Sequence, residues 1–145
     1  MINIIQFNLT FLPLEVYVCF SAKGYEHLCK EKKYRFDDSY LGDKAAITRM
    51  CTEKNKLPVI AMCFDLKKLK RLDKCVAAGL VAHEVIHTIA GICETIGQDN
   101  RKDNEWEAYL TQQMVVDILQ FVYGEEKEGD TNETTRTNSR DAKGC

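Results

Sequence analysis

Apolar residues fall along this chain in two rhythms. Up to about residue 64 they come as short runs rich in β-branched and aromatic side chains, EVYVCFS, AAITRMC and LPVIAMCF, set between polar stretches. Such runs predict strands. The N-terminal stretch MINIIQFNLTFLPLEVYVCF reads as a first strand, its element placed at about Leu12 to Ser21. Polar Ala22 to Lys33 predicts a short helix, and RFDDSYLGD a loop that turns at Gly42 and Asp43. TEKNK, between two apolar runs, predicts a hairpin. Beyond it the rhythm becomes helical. LKKLKRL is a basic amphipathic approach, and Asp73 is placed to cap a long helix that ends near Gly97. QDNRKD connects to a second helix, from about Asn104 to Tyr123. Strands first and two long helices afterwards predict an α+β domain, a small mixed or antiparallel sheet packed on the C-terminal helix pair.

The domain is expected to span residues 1–123. From Gly124 onward, GEEKEGDTNETTRTNSRDAKGC has one alanine, one cysteine and no other apolar side chain. It cannot bury enough surface to offset the entropy of ordering, so 124–145 is expected to be a disordered polar tail. No internal repeat is present.

The long helix holds an anomaly. LVAHEVIHTIAGICE is apolar on nearly every turn, yet carries His83, Glu84 and His87. Projected at 100° per residue, these three and Glu94 fall within roughly a quarter-turn, with Gly91 inside the same arc. Buried without partners they would be costly. His83 and His87, at i and i+4, can each aim a nitrogen at one point, as a zinc ion held at about 2.0–2.1 Å requires. Glu84 lies about 100° round from His83, so it flanks that point and is placed to take a proton from an attacking water. The spacing is His-Glu-x-x-His, the signature of zinc hydrolases. Glu94 shares the face but sits about 10 Å further along the axis, out of reach of the same ion. The third ligand is therefore sought on the next helix, DNEWEAYLTQQM. There the apolar arc is centred near Val115 and Val122, and Glu107 lies closer to it than Glu105 does. The remaining histidine, His27, reads as a surface residue in GYEHLCKEKK.

Charge and composition narrow the classes. The 145 residues carry a formal net charge of −2 with mixed signs and no basic stripe, which argues against nucleic acid as a partner. No run of eighteen apolar residues occurs, which argues against a membrane span. The apolar N-terminus lacks a basic leader and is interrupted by Pro13 and Glu15, unlike a signal peptide. Seven cysteines, an odd number without a CxxC pair, read as reduced small hydrophobes of a cytoplasmic protein.

HEVIH followed by NEWEAY resembles the gluzincin metallopeptidases, and more closely the small phage-encoded HExxH proteins. The resemblance covers about Leu80 to Val122. It implies His83, His87 and Glu105 as zinc ligands and Glu84 as catalytic base, with a peptide or protein substrate and, for a phage protein, a place in the host cytoplasm. Gluzincins often carry an acidic residue four places after the ligand glutamate; this chain has Tyr109 there, and the partner of a ligating histidine is left unassigned. The expected function is a zinc-dependent peptidase. Tyr109 and His27 are the side chains considered for oxyanion stabilisation, and LPVIAMCF is expected to be an edge strand offered to substrate. The alternative is a metal-stabilised binding module acting on a host factor without turnover. A DNA-associated protease is the weaker third reading, because such proteins add a cysteine-rich ribbon.

Overall fold

The computed structural model describes residues 3–34, 40–98 and 105–124. Most of the loop expected at 35–43, nearly all of the 98–103 connection and the tail from 125 lie outside these residues. The elements run β1 (Ile4–Phe7), β2 (Glu15–Cys19), α1 (Ala22–Lys32), β3 (Ala46–Cys51), β4 (Val59–Phe64), α2 (Leu66–Arg71), α3 (Lys74–Ile96) and α4 (Glu105–Tyr123). The class is α+β, with a mixed sheet of order β1-β2-β4-β3. β1 and β2 pair antiparallel, β2 and β4 parallel, and β3 and β4 antiparallel as the expected hairpin.

Two expectations need correction. The N-terminal run is two strands rather than one, because the turn around Thr10 to Leu14, which includes Pro13, breaks it. LPVIAMCF is not an edge. Its strand, β4, lies between β2 and β3 and is buried at all six positions. An uninterrupted apolar run is what burial on both faces demands. The edge on this side of the sheet is β3, AITRMC, whose mixed polar and apolar side chains suit a half-covered strand; β1 is the other edge.

The sheet has helices on both faces. On one, Val16, Val18, Ile60, Met62 and Phe64 meet Val81, Val85 and Ile92 of α3 and Met114 and Ile118 of α4. On the other, Tyr17, Cys19, Ala61 and Cys63 meet Tyr25 and Leu28 of α1. The alternation of side chains along β2 and β4 divides the two cores. Cys19 and Cys63 are register partners without solvent exposure, and the six cysteines among the described residues are free thiols.

α3 starts and stops where its local chemistry dictates. The Asp73 side chain accepts from the Cys75 N–H at 2.8 Å, and Gly97 takes the left-handed conformation at φ 69°, its N–H returning to Cys93 and Glu94 carbonyls. By length and composition alone this helix is apolar enough to cross a membrane. Here that apolarity is used against the sheet and α4, where eight of its residues are buried.

Candidate metal centre and its cleft

α3 packs its buried arc on the sheet and leaves His83 and His87 exposed beside it. Their Nε2 atoms are 3.1 Å apart, with the rings nearly perpendicular at 79°. Two nitrogens bound to one tetrahedral ion at about 2.0–2.1 Å would stand about 3.3 Å apart. The separation, which is also that of an imidazole–imidazole hydrogen bond, is within a few tenths of an ångström of two positions on a tetrahedral divalent ion, and imidazole nitrogen is one of the donors zinc takes.

Glu84, at 5% exposure, is one of two buried polar residues among those described. One carboxylate oxygen, Oε2, accepts from the Thr48 hydroxyl at 2.6 Å; the same hydroxyl lies 3.1 Å from the Glu84 carbonyl. Thr88 also donates to that carbonyl at 3.1 Å. The other carboxylate oxygen has no protein partner among the described residues and belongs to a group lining the open cleft. Thr48 was not identified from the sequence. A lone threonine in a strand carries no local mark, and only the packing of β3 against α3 gives it meaning.

The cleft itself, about 840 Å³, lies between α3 and the edge strand β3. His83, Glu84 and His87 line it with Thr48, and Lys44 and Glu94 also border it. Helix and sheet approach closely at Gly91: a Cβ there would lie 3.2 Å from Ile60 Cδ1 and 3.4 Å from Met50 Sδ. On the strand, Asp65 N–H donates to the Ala45 carbonyl at 3.0 Å. In the alternating antiparallel ladder, Ile47, Arg49 and Cys51 then bond to β4, while Ala46, Thr48 and Met50 turn N–H and C=O outward.

The second helix divides its two glutamates. Glu105 is the exposed first residue of α4, adjoining residues 99–104. Glu107 falls seven residues before Met114, on the stripe continued by Ile118 and Val122, and its Oε1 accepts from Cys93 Sγ at 3.3 Å. Burial first, and the Glu107 carboxylate second, push the Cys93 thiol up to about 11, so it remains a donor. Cys93 lies six residues, about 9 Å, beyond His87 and about 120° away round the helix. Glu107 is thereby held away from the imidazoles, even though the apolar arc of α4 correctly marked it as the inward glutamate. Among the described residues no third histidine, cysteine or carboxylate is gathered with His83 and His87.

The remaining sequence-marked groups lie elsewhere. His27 is on α1, against the opposite face of the sheet, and pairs with Glu31 at 3.6 Å. Tyr109 is exposed on α4 and does not line the cleft. No protein-family model, curated protein or solved structure matches this chain.

Proposed function

We propose that this chain is a zinc-dependent peptidase that works in the cleft between α3 and β3. One observation carries the reading: the two Nε2 atoms, 3.1 Å apart, open on the same cleft as the Glu84 carboxylate, opposite a strand edge left unpaired among the described residues. His83 and His87 would hold the ion. By the gluzincin resemblance Glu105 would complete the set; it stands exposed at the start of α4, about 200° round from the side on which Glu107 meets Cys93, so it would ligate only if the start of α4 moved towards the histidines. Zinc at such a site polarises the scissile carbonyl and brings the pKa of its water towards neutrality.

The chain's own groups do the rest. Glu84 takes the proton from the attacking water with its free oxygen and delivers it to the departing amine. Thr48, holding the other oxygen at 2.6 Å, fixes the rotamer and aims the free oxygen into the cleft. The outward N–H and C=O groups of Ala46, Thr48 and Met50 would pair with an extended substrate, fixing it by its backbone rather than by sequence.

Thr48 is a positioning residue in this account. Thr48→Val is expected to lower kcat about ten- to a hundredfold, the range of one lost hydrogen bond to a charged group, with KM changed much less. Thr48→Ser should recover most of the loss. Equal kcat in Thr48→Val and wild type would remove Thr48 from the mechanism.

A second reading is a metal-stabilised module that binds an extended segment in the same cleft without cutting it. Its support is the cleft beside the outer edge of β3, which can take up an extended segment whether or not that segment is cut. Against it stands Glu84, an acid with one oxygen held and one free, which a purely structural metal site does not require. Digestion of a mixed peptide library separates the two. The peptidase reading requires cleavage that a chelator stops, zinc restores and Glu84→Gln abolishes; retained peptides without any cleavage favour the module.

A further inference from the structure

The cleft is electrically polar along its length. β3 and α3 run alongside one another: Thr48 meets Glu84, and two residues further on Met50 lies beside Gly91. Lys44, just before β3, therefore marks one end of the cleft, and Glu94, one turn past Ala90 on α3, marks the other. The histidine pair stands between them. Both side chains are exposed, and neither is paired with an opposite charge among the described residues. A carboxylate and an ammonium at opposite ends of one groove set a field along it that a peptide would feel.

We propose that Glu94 is a specificity determinant that recruits a positively charged amine, on the amino side of the scissile bond, in a peptide lying antiparallel to β3. The inference rests on the reading of the cleft as a peptide site. Its direction has two independent supports. A chain antiparallel to β3 has its amino end at Met50 and Glu94 and its carboxyl end at Lys44, so its terminal charges meet opposite signs. Antiparallel pairing is also the somewhat more stable ladder. The position follows from spacing. Glu94 is seven residues, about 10 Å, beyond His87 along α3. An extended peptide advances about 3.3–3.4 Å per residue, so the amine would sit about three residues before the bond cut. Lys and Arg side chains and a free N-terminus share the required chemistry.

The test uses the full chain as Glu84→Gln, so that bound peptide is not consumed, with fluorescence anisotropy as the readout. Three octapeptides of Ala, Val and Thr, each amidated through a C-terminal fluorophore, serve as probes. The first is N-acetylated and uncharged, the second N-acetylated with one Lys, and the third has a free N-terminal amine. The Lys peptide, the free-amine peptide or both should bind about 1.5- to fivefold more tightly than the uncharged one, the range expected of one solvent-accessible ion pair. Which of the two gains identifies the source of the amine. Adding Glu94→Gln should erase the gain, and Glu94→Lys should reverse it. A gain that survives Glu94→Gln, equal binding of all three probes, or no binding at all would overturn the inference. Wild-type cleavage of the uncharged probe without charge discrimination would leave the peptidase reading standing and remove Glu94 alone. Charge discrimination through Glu94 with no wild-type cleavage would do the reverse.

Discussion

Glu84→Gln is expected to lower peptide hydrolysis by about two to four orders of magnitude, the range set by losing a positioned general base. Melting temperature and metal content should stay at wild-type values. The substitution is conservative at every contact described above. An amide oxygen can still accept from the Thr48 hydroxyl, and the nearly full burial of the group is kept because the shape is unchanged. What disappears is the ability of the second oxygen to take a proton. Since Glu84 flanks the two imidazole nitrogens instead of converging with them, its charge is not needed to hold the ion. Cleavage by Glu84→Gln at the wild-type rate would contradict the assignment of the base. A loss of metal together with activity would mean that Glu84 ligates.

Glu105→Ala is expected to weaken zinc affinity sharply, and Glu107→Ala to leave it nearly intact. Two histidines and solvent are too few for a tight tetrahedral site, so removal of a true third ligand has a large effect. The two glutamates are about 200° apart round α4, so one helix placement cannot present both to the same ion. Glu107 is engaged with Cys93, about 9 Å along α3 from the histidine level; Glu105, exposed at the helix start, lies no nearer to that level, so its choice rests on the gluzincin resemblance alone. Glu107→Ala should register as a stability change, since it strips the partner from a buried thiol. Competition with a zinc-binding dye reads the first effect and thermal melting the second. Lost affinity in Glu107→Ala with full affinity in Glu105→Ala would mean that the resemblance misplaces the ligand by two residues.

How much of this was legible depended on whether the signal is local. The start and end of α3 were read correctly because a cap is chemistry within a few residues: Asp73 reaches the Cys75 N–H, and Gly97 takes a backbone angle that other residues avoid. The histidine pair was legible for the same reason, since four-residue spacing on a helix fixes direction. Strand order was not local. The edge expected for LPVIAMCF fails because unbroken apolarity matches burial on both faces, and its parallel pairing with β2 joins segments about 40 residues apart. β1 was missed as a separate strand because four residues beside an apolar turn look like a continuation. Thr48 was invisible for the deepest reason. Its role comes entirely from which helix its strand packs against, and nothing within β3 records that.

The central claim, a zinc ion held by His83 and His87, is tested most directly by the metal content of the protein purified without added metal, read beside its melting with and without chelator. The account predicts about one equivalent of zinc in the wild type and a melting temperature that chelation lowers, because an ion bound only to the folded state stabilises it. His83→Ala and His87→Ala should each lose the metal and melt at a temperature indifferent to chelator. A wild-type protein that takes up no zinc and melts alike in zinc and in chelator would contradict the account.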